Sequence, residues 1–307
     1  MLVGFLVSTS LASFVAVLQV VGVVPTQLWN ADDVSSLGRP TGLYPEPDWL
    51  GMFSGLGLIV GWRMLTSSRL RYVLTILNGS AFVLAFARAA WLALVVSVGL
   101  VALLKFLGKA EASRRPRAIG LFAAVGLTLV APVIVSPQMR QDLTLRVVRA
   151  LDSDQRDVSA TARVQQMTSL QELASTAPWH GHGLSASGRV QVSGRIEYGH
   201  SQANVSSNWV LGLWVDGALL AVPLMALLAF AAIFSGASTS GQMLTFLLVN
   251  NLFSNATFMP VTWFLTALVL STAKNAAPGI SPSDRIVTGR RLLSMSTCSS
   301  VIQVTDA

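Results

Sequence analysis

The side chains best suited to chemistry in this chain are a few arginines and one histidine, each set in apolar or turn-forming sequence. Arg39-Pro40-Thr41-Gly42-Leu43-Tyr44-Pro45-Glu46-Pro47-Asp48 lies just before an apolar run. Its prolines and glycine impose an irregular backbone. An arginine held there can grip a phosphate bidentately, or simply pair with Glu46 or Asp48 in solvent. Arg88, in Phe86-Ala87-Arg88-Ala89-Ala90-Trp91, interrupts an apolar run. A charge in that setting marks function by default; the competing reading is an interfacial arginine snorkelling beside Trp91. Arg163 falls on an expected amphipathic helix from Thr161 to Ala174, with Val164, Met167, Leu170 and Leu173 at helical spacing. Pro178-Trp179-His180-Gly181-His182-Gly183 follows as a turn that needs glycine's backbone freedom. Arg189, Arg195, Glu197 and His200 come next. His200 is a candidate general base because an imidazole titrates near neutrality, against the plain alternative of a solvated loop histidine. Asp216 is read as a helix-packing or interfacial acid.

Other chemistries lack their residues. His180 and His182 stand one residue apart without further paired His or Cys, a poor ligand set, so no metal and no cofactor is expected. No phosphate-binding Walker loop, dinucleotide glycine fingerprint or Asp-x-Asp motif is present. A metal-dependent nucleotide-sugar transferase on the cytoplasmic side is therefore unsupported. The single cysteine, Cys298, excludes a disulfide framework. Arginines gathered at a membrane surface suit a lipid-linked diphosphate instead.

The elements that must carry these residues are membrane spans. Of 307 residues, 52% are hydrophobic and 11% charged, and mean hydropathy is +0.61. Soluble domains carry about 25% charged residues. The net charge of +7 reads as basic cytoplasmic loops, not as nucleic-acid binding. Leu2–Val24 is one uncharged run, read as a retained helix because no basic residue precedes it and no signal cleavage site follows closely. A second span runs from Trp49 to about Trp62. Tyr72–Leu104 is 33 residues long, about 50 Å as one helix against a hydrocarbon core of roughly 30 Å. It should therefore be a hairpin turning near Arg88. Further spans are expected at Ala118–Val135 and Trp209–Phe234, with a second hairpin over Gln242–Leu270 turning around Asn255.

The fold class is thus all-α, a polytopic bundle of about eight spans with one long extracytoplasmic loop. Residues 1–135 hold the first five spans, 136–207 the loop, 208–272 the last three and 273–307 a mobile cytoplasmic tail. The short loops at 63–71 and 105–117 carry three and five basic residues, which places them in the cytoplasm. Residues 26–48, Arg88 and the long loop then share the outer face.

The order of these motifs resembles the O-antigen ligase and polymerase superfamily. The Arg39-to-Asp48 segment resembles its Arg-x-x-Gly-x-x-x-x-Pro-Asn segment, with Asp48 in place of Asn. Phe86–Leu94 resembles its Ser-Arg-small-small helix start, with Ala87 in place of Ser. Arg163 with Pro178, Gly181 and Gly183 resembles its arginine-bearing helix and Pro-x-x-Gly-x-Gly turn. Ser207-Asn208 through Gly217 resembles the Asn-led start of the next helix. The likeness covers roughly residues 36 to 235. It implies a metal-independent glycosyltransferase of the cell envelope, active outside the cytoplasmic membrane, that moves a glycan from undecaprenyl diphosphate to an acceptor hydroxyl. It implies Arg39, Arg88 and Arg163 as diphosphate clamps and Pro178, Gly181, Gly183 and Asn208 as loop architecture; Arg88, and His200 as the base suggested by its position, are the expected catalytic residues. The implied partners are the lipid-linked glycan, a sugar acceptor and membrane lipid. Ligases usually have His directly before that Asn. Here Ser207 stands there, and His200 lies eight residues before Asn208, which favours a polymerase. The alternatives are ligase-type transfer, a lipid-linked sugar transporter, and a non-catalytic relative shortened at its N-terminus, since the superfamily commonly has ten or more spans.

Overall fold

The computed structural model describes residues 2–25, 39–65, 67–107, 158–191, 206–253 and 260–275. The expected fifth span (118–135), His200, the remainder of the long loop and nearly all of the tail lie outside them. The chain divides into two compact units, Met1–Val269 and Leu270–Ala307. The second contributes only the C-terminal end of one helix to the described residues.

Among the described residues the fold is all-helical. The helices are α1 (Leu2–Val20), α2 (Pro47–Met64), α3 (Ser68–Leu84), α4 (Arg88–Leu107), α5 (Val158–Thr176), α6 (Trp209–Gly217), α7 (Val222–Phe234), α8 (Thr239–Asn250) and α9 (Pro260–Asn275). The runs Leu2–Val20 and Trp209–Phe234 are long and apolar enough to cross a membrane; Arg88–Leu104 and Pro260–Ser271 are shorter apolar helices.

The solvent preference of α1 is inverted relative to a water-soluble helix. Thr9, Ser10, Ser13 and Gln19 are buried, while Val3, Val7, Leu11 and Phe14 are exposed. In water that arrangement would be unfavourable on both faces. In lipid, apolar side chains lose nothing by facing outward, and polar ones join helices by hydrogen bonds. Ser13 Oγ donates to Asn78 Oδ1 at 3.1 Å, and Asn78 Nδ2 donates to Ser10 Oγ at 2.9 Å, so α1 and α3 are tied through their interiors. Gly57 of α2 makes room for this cluster, since a Cβ there would lie 2.5 Å from Asn78 Oδ1 and 2.7 Å from Thr9 Oγ1.

The long apolar stretch expected to turn near Arg88 is interrupted there, with α3 ending at Leu84 and α4 starting at Arg88. The stretch Trp209–Phe234, expected as one span, is broken. Ala218 has φ 42°, and a short 3-10 segment, Ala218–Ala221, precedes α7. Pro223 accounts for the break, because it has no N–H and its ring would collide with the carbonyl four residues earlier. α8 is only 12 residues long, about 18 Å, and Met243, Leu244, Phe246 and Leu247 bury it in the core against α2, α4 and α7. At one end of the bundle Arg63 donates to Gln242 Oε1 (2.8 Å) and to the Ala237 carbonyl (2.5 Å), tying the last turn of α2 to the first of α8.

Candidate functional site

At the opposite end, Asp48 sits in the first turn of α2, directly after Pro47. Proline suits that position because its missing N–H would have had no helical partner. The free amides and dipole of the helix start also favour a carboxylate. Arg39 Nη2 donates to Asp48 Oδ1 at 2.7 Å, and Arg163 Nη2 donates to Asp48 Oδ2 at 2.9 Å. Each guanidinium has a second, backbone anchor. Arg39 gives Nε (2.9 Å) and Nη2 (2.7 Å) to the Ala85 carbonyl, and Arg163 gives Nη1 to the Phe253 carbonyl at 3.1 Å. Burial raises the Asp48 pKa, but Arg39 and then Arg163 outweigh it and hold the carboxyl below its ordinary range.

The segment carrying Arg39 is held by a residue the sequence reading passed over. Gln19, buried near the end of α1, accepts from the amides of Thr41 (3.0 Å) and Gly42 (2.8 Å) through Oε1 and donates to the Pro25 carbonyl at 2.9 Å. Gly42 is left-handed, and a Cβ there would lie 2.5 Å from the Ala12 carbonyl oxygen, so no other residue fits without moving α1.

Arg88 opens α4 three residues after Ala85, whose carbonyl Arg39 holds. The corner between them is tight. Phe86 has φ 51°, its ring leans on Trp91 at 6.2 Å, and Trp91 Nε1 donates to the Phe82 carbonyl at 3.2 Å. Gly51 permits this, since a Cβ would come within 2.4 Å of the Ala87 methyl. Arg39 and Arg163 are thus joined through one carboxylate, and Arg88 follows the corner that Arg39 fastens.

The glycine turn after α5 serves as a splint. Gly181 and Gly183 have φ 70° and 91°. The amides of His182 and Gly183 donate to the carbonyls of Val215 and Asp216, both at 2.9 Å. An unbroken helix would engage those carbonyls itself; the break after Gly217 makes them available to the loop. Asp216 completes the joint, accepting from the amides of Ser185 (3.0 Å) and Ser187 (2.7 Å). His182 Nε2 lies 2.8 Å from the Leu173 carbonyl, which can only accept, so Nε2 carries the proton. His180 Nδ1 approaches the Gly181 carbonyl at 2.7 Å. Among the described residues no group of three or more His, Cys, Asp or Glu is arranged to hold a metal ion.

Gln166 is the second residue sequence reasoning missed. Fully buried on α5, it accepts from the Ser207 amide (3.1 Å) and hydroxyl and donates to the Val190 carbonyl (3.1 Å). The buried stripe of α5 is therefore Gln166, Leu170 and Leu173, whereas Val164, expected inside, is 63% exposed. The available signal was spacing, for Gln166 stands four residues before Leu170 on the same helical face. Asn208 caps α6, its side chain accepting from the Leu211 amide at 3.1 Å. Trp209 fastens α6 to the end of α8 through the carbonyls of Asn251 (3.1 Å) and Leu248 (3.0 Å).

Residues 73–221 match the family model for O-antigen ligase. The matched stretch includes Arg88, Arg163, the glycine turn and Asn208, and begins after Arg39 and Asp48. No curated protein and no solved structure matches the chain. Over the helices and loop just described the chain is thus similar to the O-antigen ligase family, which supports a membrane enzyme of polysaccharide biosynthesis of that general type.

Proposed function

We propose that the protein is a polymerase of surface polysaccharide, working on the outer face of the cytoplasmic membrane. It transfers a glycan from undecaprenyl diphosphate to a hydroxyl of a sugar acceptor. The observation that carries this reading is the meeting of Arg39 and Arg163 on Asp48, beside the corner that leads to Arg88. In the reaction the bond between the anomeric carbon and the diphosphate oxygen breaks and a bond to the acceptor oxygen forms. The lipid diphosphate leaves with the electron pair. Guanidinium groups placed beforehand around that leaving group stabilise the charge as it develops, and Arg39, Arg88 and Arg163 take that role here. His200 is the proposed acceptor of the hydroxyl proton. The chemistry so written places no demand on a metal.

Ligase-type transfer to another acceptor is the second reading, favoured by the description of the matching family; Ser207, standing where ligases usually carry His, favours the polymerase. The size profile of surface polysaccharide after gene deletion, complemented with wild type or Arg88→Ala, tests both. Collapse to single repeats, rescued by wild type alone, is expected of a polymerase. Free polymer of normal length that fails to reach its carrier would indicate a ligase. An unchanged profile would remove the enzymatic reading.

A further inference from the structure

We propose that Asp48 is a positioning residue for transfer, holding Arg39 and Arg163 in register as one two-armed clamp. The proposal deepens the diphosphate-transfer reading above and rests on it. Arg39 and Arg163 are 124 positions apart in the chain, on a loop before α2 and on a helix of the long loop. Two guanidiniums brought together repel each other, and they come from separate segments of the chain, a loop and a helix. Asp48 aligns them by giving one oxygen to each, at 2.7 and 2.9 Å, from a helix start whose amides favour its charge. The backbone anchors at Ala85 and Phe253 set the far side of each arm. These bonds use three of the five N–H groups of Arg39 and two of the five of Arg163. The others are the donors a diphosphate oxygen would take. The carboxyl stays ionised at neutral pH, so the arrangement holds where the enzyme works.

A positioning anion has an unusual signature. With Asp48 the three groups sum to one positive charge; with Asn they sum to two. Removing the carboxylate therefore strengthens attraction for an anion while loosening the geometry, and geometry is what turnover requires. Loss of folded protein alone would lower the measured rate without tightening anion binding.

The test uses the full chain purified in detergent, with inorganic pyrophosphate as the binding probe and lipid-linked glycan transfer as the rate. Asp48→Asn is expected to bind pyrophosphate as tightly as wild type or up to about tenfold more tightly, while kcat falls at least tenfold. Asp48→Glu, which keeps the charge but lengthens the arm, is expected to retain wild-type pyrophosphate affinity and recover part of kcat; it also serves if the Asn variant does not fold. A kcat within twofold of wild type in Asp48→Asn would overturn the proposal. So would parallel loss of pyrophosphate binding and rate, which would make Asp48 ordinary scaffold. Wild type that neither binds pyrophosphate nor transfers would overturn the diphosphate reading itself, and this proposal with it.

Discussion

Replacing Gly181 by alanine isolates the joint between the long loop and the broken helix. The left-handed backbone at φ 70° costs an L-residue about 1–2 kcal/mol. The added Cβ would also lie 2.5 Å from the Asp216 carbonyl oxygen and 2.7 Å from the Gly217 nitrogen. Both are backbone atoms, so the turn must retreat. The bonds from His182 and Gly183 to Val215 and Asp216 would then lengthen or break, at about 0.5–1.5 kcal/mol each. The sum is roughly 2–5 kcal/mol, most of it local. Gly183 is the internal control: at φ 91° it has nothing within 4 Å of its would-be Cβ, so Gly183→Ala should cost only the conformational 1–2 kcal/mol. Hydrogen exchange on the full chain in detergent reads the difference. The amides of residues 182–187 should exchange about 30-fold to several-thousand-fold faster in Gly181→Ala, and about 5- to 30-fold faster in Gly183→Ala, by the usual tenfold per 1.4 kcal/mol. The core of α1 to α3 should be unchanged, because the loop packs through its own cluster of Leu170, Leu173, Ala186, Val190 and Val215. Equal exchange in the two variants would refute the argument that Asp216 and Gly181 form a close backbone contact.

Arg88→Lys should lose most transfer activity, since lysine keeps the charge but not the planar two-pronged donor; a fully active variant would reduce Arg88 to an interfacial anchor. Asp48 should also make stability depend on acid. Burial raises its pKa, but Arg39 and Arg163 outweigh that and lower it, so its contribution is full above the ordinary carboxylate range near pH 4 and is lost as pH falls below it. The melting difference between wild type and Asp48→Asn should accordingly be present at pH 7 and shrink below about pH 4; a difference constant down to pH 3 would contradict the bridge. With Cys298 replaced by serine, single cysteines at Ser67 and Ser175, both exposed, should label from opposite sides of the membrane. Labelling from one side would undo the proposed outer face.

Much of this molecule follows from local pattern. An uncharged run such as Leu2–Val20 has few options but a helix in lipid, and a 33-residue stretch interrupted by Arg88 exceeds the bilayer core and must turn. The glycine turn was legible for the same kind of reason, because left-handed backbone is a property of single residues. Local pattern misled where several faces were compatible with one spacing. The expected stripe on α5 included Val164, yet Gln166 is the residue turned inward, because its amide meets Ser207 and Val190, partners that spacing within α5 cannot reveal. The break inside the span Trp209–Phe234 was hidden because hydropathy does not register that Pro223 lacks an N–H or that the docking loop takes up the carbonyls of Val215 and Asp216.

The membrane character, the helical class and the unusual settings of particular arginines can be read from the chain alone, since hydropathy and turn chemistry act over a few neighbouring residues. Which of those arginines meet depends on how the helices pack. Asp48 and Arg163 are 115 residues apart, and no short-range rule links them. Their pairing exists because α2 starts, α3 turns into α4, α8 ends and α5 docks at the same end of one bundle, where two positive charges brought that close need a shared negative one.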